Sequence, residues 1–156
     1  MNFDLAFEKL IGHEGGYVKN PADPGGETKF GISKRSYPME DIPNLTLERA
    51  KFLYKRDFWG PAGCDALPDP LRFPIFDFAV NSGVKTAVKK LQELVEEFPD
   101  GIIGPMTLAA IQSYDLKKLA IELHLERLEF MTDLPNWPSF GKGWVRRQIK
   151  NIREVL

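Results

Sequence analysis

Cysteine is almost missing from this chain. Cys64 stands alone among 156 residues, which excludes an internal disulfide framework. Histidine is nearly as scarce, with two copies, so a zinc site built from His and Cys alone is not expected. His13-Glu14 opens like a His-Glu-x-x-His metal motif, but position 17 is Tyr and the motif fails. Charge of one sign is lacking as well. Twenty-one basic residues face twenty-two acidic ones, for a net charge of −1. No global basic field exists to hold nucleic acid or an anionic membrane, so any anionic partner must be held locally. There is no apolar run of the length a membrane span requires. The opening Met1-Asn2-Phe3-Asp4 has neither a basic region nor an apolar core, and is not expected to act as a secretory signal. Internal repeats, low-complexity tracts and long linkers are absent too. With 43% apolar residues, the chain can still bury a real core. At this length it reads as one domain, or two small halves sharing a core.

Phe3, Phe7, Leu10 and Ile11 recur at helical spacing, with Asp4 and Glu8 between them. Gly15-Gly16 offers a stop for this helix, which places Glu14 in its last turn. A carboxylate there faces the negative end of the helix dipole, and its pKa is expected to rise, as a general acid needs. The alternative is a solvated helix end. Pro21, Pro24, Gly25 and Gly26 then supply turn chemistry. At most, residues 26–33 form a short hairpin or turn.

Thr46 reads as an N-cap with Glu48 in the first turn, and Leu47, Ala50, Leu53 and Tyr54 form one face of a helix ending near Trp59. Tyr54 and Trp59 suit either a sugar groove or, more in keeping with burial habits, the core. From Pro70 to Ser82 the chain is apolar nearly all round, as a buried helix is. Its inner polar residues, Asp77 and Asn81, are spaced i, i+4 and share a face. They either bond each other and their neighbours or line a cleft. Val84, Val88, Leu91 and Val95 mark an amphipathic helix ended by Pro99. Asp100-Gly101-Ile102-Ile103-Gly104-Pro105 is good helix-start chemistry whatever its ligand. Asp115 caps a helix that turns Leu116, Leu119, Leu123, Leu128 and Met131 inward, with His124 and Arg127 solvated or paired. Past Pro135 and Pro138, a last helix carries Trp144, Val145, Ile149 and Ile152 among Arg146, Arg147, Lys150 and Arg153. It reads as a solvated basic face over a core seam, with nucleic-acid contact the alternative.

The run Glu14-Gly15-Gly16-Tyr17, followed by Asp23-Pro24-Gly25-Gly26-x-Thr28-x-x-Gly31-Ile32, resembles the glycoside hydrolase family 108 muramidases of peptidoglycan. These include phage endolysins and muramidases of the secretion-activator type. The likeness extends over nearly the whole chain. Asp77, Asn81 and Gly83 resemble the family's central helix, and Asp100-Gly101-x-x-Gly104-x-x-Thr107 resembles helical peptidoglycan-binding modules. The resemblance implies an all-α, lysozyme-like fold of about seven helices around a central buried helix, with little sheet. It implies a catalytic half, 1–90, and a peptidoglycan-binding-like half, 91–156, packed as one compact unit. By this likeness Glu14 is the general acid of an N-acetylmuramidase. Tyr17 walls the sugar site, and Asp77 and Asn81 contact substrate. Asp23, Thr28 and Asp77 compete for the second catalytic role. Phage-type lysozymes place an Asp nine residues after the Glu and a Thr six further on. Asp23 keeps the first spacing, and Thr28 follows by five. The favoured reading has Asp23 and Thr28 orienting a water, with inversion. A lytic transglycosylase and a non-catalytic cell-wall-binding protein are the alternatives. No metal or organic cofactor is required. The implied partner is the glycan strand of peptidoglycan, and the expected state a monomer. The expected place of action is the periplasm or wall, reached from the cytoplasm by holin-type release or dedicated export.

Overall fold

A computed structural model of the chain describes residues 1–12, 16–19 and 26–156. It contains two compact units, Asn2–Asp57 and Phe58–Leu156, the latter joined by Met1.

In the N-terminal unit, α1 (Phe3–Ile11) starts at Asn2, whose side chain accepts from the Leu5 N–H at 3.0 Å. It buries Phe3 and Phe7, as the sequence periodicity predicts, and Ala6 with them, whereas Leu10 and Ile11 are half-buried. Its end differs from the prediction. Gly12, at φ +58°, closes the helix and donates to Glu8 O, so α1 stops at Ile11 rather than at Gly15-Gly16. A glycine free to turn left-handed terminates a helix at the first chance, and Gly12 comes first. The dipole argument for Glu14 required it to lie in the last turn, and α1 does not extend that far. Next come β1 (Val18–Lys19), β2 (Glu27–Lys29) and β3 (Ile32–Ser33), an antiparallel ribbon in that order. Helix α2 (Leu47–Tyr54) is capped by Thr46, which accepts from Arg49 N at 3.2 Å, and buries Ala50, Leu53 and Tyr54. The ring of Tyr54 meets Phe7 edge-on at 5.4 Å, joining α1 to α2. Lys51 reinforces the pair by bonding Asp4 at 3.0 Å. A π-helical turn, Lys55–Trp59, follows α2, and the division between the units falls within it.

The C-terminal unit is built around α3 (Asp69–Ser82), which packs against α4 (Val84–Leu94) and α6 (Leu116–Thr132). Leu71, Phe73, Ile75, Phe76, Phe78 and Ala79 bury it on nearly every side, as the apolar run predicts. Trp59 is wholly buried, with its ring edge-on to Phe76 at 5.3 Å and its Nε1 donating to Asp65. Like the buried Tyr54, it is a core residue. Cys64 is also fully buried, and burial pushes its thiol pKa up to about 12. Helix α5 (Pro105–Ile111) begins on Pro105, and Asp115 caps α6 by accepting from Lys118 N at 2.9 Å. Helix α7 (Trp137–Val155) packs along α6. Among the described residues there are thus seven α-helices and one small ribbon.

The face that α7 buries overturns the expected apolar seam. Gly141, Gln148 and Asn151 are buried, whereas Ile149 is 43% exposed and Val145 and Ile152 lie at the edge. The reason is the polar content of the helices it meets. Gln148 Oε1 lies 2.8 Å from His124 Nδ1 of α6, and Arg147 and Asn151 both donate to Asp77 of α3.

Candidate active site

The ribbon that follows the Glu14 segment owes its shape to one tight turn. Between β2 and β3, Phe30 and Gly31 take φ of +51° and +75°. Two successive positive φ values give a turn whose twist matches that of the flanking strands. Tyr54 pins it, donating its hydroxyl to Phe30 O at 3.1 Å. The fit is close: a Cβ on Gly31 would lie 2.5 Å from that hydroxyl oxygen. Through Tyr54 and Phe7 the ribbon is fixed to α2 and α1.

This anchoring places Thr28 at the centre of the ribbon, opposite Val18 on one side and Ser33 on the other. None of the described residues hydrogen-bonds the Thr28 hydroxyl. Tyr17, just before β1, donates to Glu27 at 3.1 Å. Partial burial and this carboxylate raise its pKa above the ordinary phenol value. Successive residues of a strand point to opposite faces, so Glu27, which holds Tyr17, lies on the other face from Thr28. The ribbon therefore does not bring Tyr17 and Thr28 to one surface. Glu14 and Asp23 lie outside the described residues. Glu27 is a carboxylate of this ribbon that reading the sequence missed; nothing in its spacing marks it out.

Asp77 and Asn81 lie together on α3. Asn81 Nδ2 donates to Asp77 O at 2.7 Å and to its Oδ1 at 3.4 Å. The carboxylate is fully buried. Arg127 donates to Oδ2 at 2.5 Å, Asn151 to the same oxygen at 3.1 Å, and Arg147 pairs with Oδ1. Burial pushes the Asp77 pKa up, but the two guanidinium groups outweigh it and hold the carboxyl below its usual value. Both oxygens are thus occupied in joining α3, α6 and α7. Of the two readings the sequence allows for this pair, the bonded one describes what is seen.

The Asp100-Gly101 turn is organised by a residue the sequence did not single out. Gln92, buried in α4, donates to Asp100 Oδ1 at 2.8 Å, Ile102 O at 3.0 Å and Thr107 Oγ1 at 3.1 Å, and accepts from Gly101 N at 2.8 Å. Asp100 and Thr107 of the motif are therefore spent on the turn itself. In the N-terminal unit a groove of about 570 Å³ is lined by Tyr37, Met39, Glu40, Arg49, Arg56 and Asp57 among others. Its charges are matched in pairs, Arg49 with Glu40 and Arg56 with Asp57. Among the described residues no group of three His, Cys, Asp or Glu side chains is placed to hold a metal ion. None of their helices is long and apolar enough to cross a membrane.

Residues 7–83 match the family Glycosyl hydrolase 108, and residues 86–149 match the family Predicted Peptidoglycan domain. Among solved structures, SagA of Brucella abortus is 33% identical, with a TM-score of 0.88. That match covers 98% of this chain and 92% of the SagA chain. No curated protein matches the chain. The predominantly helical fold, the anchored ribbon after the Glu14 segment and these matches agree: the chain belongs to the glycosyl hydrolase 108 family, as a glycoside hydrolase of peptidoglycan with a peptidoglycan domain in its C-terminal half.

Proposed function

We propose that the protein is an N-acetylmuramidase that cleaves the β-1,4 bond between N-acetylmuramic acid and N-acetylglucosamine, with Glu14 as general acid. The observation that carries this reading is the Glu14-Gly15-Gly16-Tyr17 motif, which lies within the family match and leads into the anchored ribbon. Hydrolysis of a glycosidic bond needs a proton for the departing oxygen and a nucleophile at the anomeric carbon. Glu14 donates the proton. Asp23 and the Thr28 hydroxyl orient a water, which attacks from the opposite face of the sugar and gives up its proton to Asp23, so the configuration inverts. The Thr28 hydroxyl, without a bond from the described residues, suits this role.

The test is product analysis of purified peptidoglycan digested in heavy-oxygen water. Reducing muramic-acid ends carrying the label are expected from the native chain. Glu14→Gln should lower turnover by roughly 10²–10⁴-fold, the usual contribution of a general acid, with the melting temperature unchanged. Anhydro ends without label would make the protein a lytic transglycosylase. Wall binding without any product would make it a binding protein.

A further inference from the structure

Four exposed cations lie along the outer side of α7: Lys142, Arg146, Lys150 and Arg153. At 3.6 residues per turn they fall within a sector roughly 80° wide and extend about 16 Å along the axis. None of the four forms an ion pair with a described residue. Arg147, on the same helix, points the other way, into Asp77. Helix α7 carries five basic residues and a single acid, Glu154, in a chain whose net charge is −1. The outer side of α7 is therefore locally positive on a chain that has almost no net charge.

We infer that this row is a docking rail for peptidoglycan, holding the carboxylates of its stem peptides. The inference rests on the peptidoglycan-hydrolase reading above. A glycan strand bearing peptides presents negative charge at repeated intervals, and a straight row of unpaired cations is its electrostatic complement. The character of the outer side supports this choice of partner. Its one large apolar residue is Ile149, whereas a helix that settles into a bilayer offers a broad apolar face. It carries no aromatic ring on which a nucleic-acid base stacks. The aromatics of α7 gather on the other flank, where Trp137 lies over Gly141 and Phe140 stacks on Trp144 at 6.0 Å. The match to the peptidoglycan domain ends at residue 149 and so includes Lys142 and Arg146. The rail acts by charge alone, and its grip falls as salt rises.

The experiment is co-sedimentation with purified peptidoglycan over a range of salt concentrations, in the Glu14→Gln background so that the wall stays intact. One variant replaces Lys142, Arg146, Lys150 and Arg153 with Gln. A second, with the same change in net charge, replaces Arg35, Lys89, Lys117 and Lys118 with Gln. From four exposed contacts, each worth somewhat under twofold, the rail variant should bind roughly tenfold more weakly at low salt. The second variant should bind as before. The difference should vanish on peptidoglycan whose carboxylates have been converted to neutral amides with a carbodiimide and ammonia. Undiminished binding by both variants would overturn the rail. An equal loss in both would reduce it to bulk charge, and an unchanged difference on the amidated wall would remove the carboxylates as its ligand. Stronger retention on anionic phospholipid vesicles than on walls would reassign the row to a membrane surface. Product release by the enzyme with an intact Glu14 is scored separately, so loss of the hydrolase reading and loss of the rail are distinguishable.

Discussion

At the scale of single residues, the ribbon depends on Gly31. Its φ of +75° and the 2.5 Å from an added Cβ to the Tyr54 hydroxyl leave no room for a side chain. Gly31→Ala should lose the Tyr54–Phe30 hydrogen bond and add backbone strain, lowering stability by about 1–3 kcal/mol in a denaturant titration. Turnover should fall with it if Thr28 acts from this ribbon; full activity in a variant so destabilised would separate Thr28 from catalysis. Phe30→Asn, at φ +51°, should be neutral or stabilising, because Asn tolerates this conformation better than Phe. The hairpin was legible in the sequence because turn glycines announce themselves. The positive φ at Phe30 was not, since nothing about a phenylalanine announces it. The burial of Cys64 was equally hidden. With its thiol pKa near 12, it should resist thiol reagents at neutral pH until the fold opens; rapid labelling of the native chain would show the site to be accessible.

At the scale of elements, helix starts were easy to read because a cap is a local event. Thr46 and Asp115 hold their caps as their positions suggested. The end of α1 was missed because three glycines compete within five residues and the first one won. The buried face of α7 was missed for a different reason. Its partners lie 70 residues away in sequence for Arg147 and 74 for Asn151, and no periodicity reports a polar seam that distant. The seam predicts its own energetics. Asp77→Asn leaves Arg127 buried without its counter-charge, a loss of about 3–5 kcal/mol. Arg147→Gln should cost much less, because that side chain is 38% exposed and water screens its charge. The carboxyl of Asp77 is held below its usual value, so the folded chain binds fewer protons than the unfolded one near pH 4. Its stabilisation is complete above that pH and drains away as pH falls through the folded-state value. Thermal melts of Asp77→Asn should show a flatter acid limb than the native chain; parallel limbs would mean that other carboxylates govern acid unfolding.

At the scale of the whole molecule, the family matches divide the chain near residues 83–86, whereas its contacts divide it between Asp57 and Phe58. The helical class, the number of helices and the family were all legible from motifs and apolar spacing. Where the contacts divide was not, because α3 belongs to one family match by sequence and to the helices of the other by packing. A chain ending at residue 83 would deprive α3 of α4 and α6, and Asp77 of Arg127, Arg147 and Asn151. Limited proteolysis should cut that fragment within 71–78, a stretch protected in the full chain; resistance there would show that the hydrolase part folds by itself. The polar underside of α7 has a further consequence. An apolar seam tolerates sliding, because one methyl replaces another at little loss. A shift of α7 by one turn, about 5.4 Å, would break its bonds to Asp77 and His124 together and leave charges stranded in the interior. The last helix is therefore a key cut for one lock. It is seated or it is out, and the outer row of cations it carries is presented at a single, fixed height.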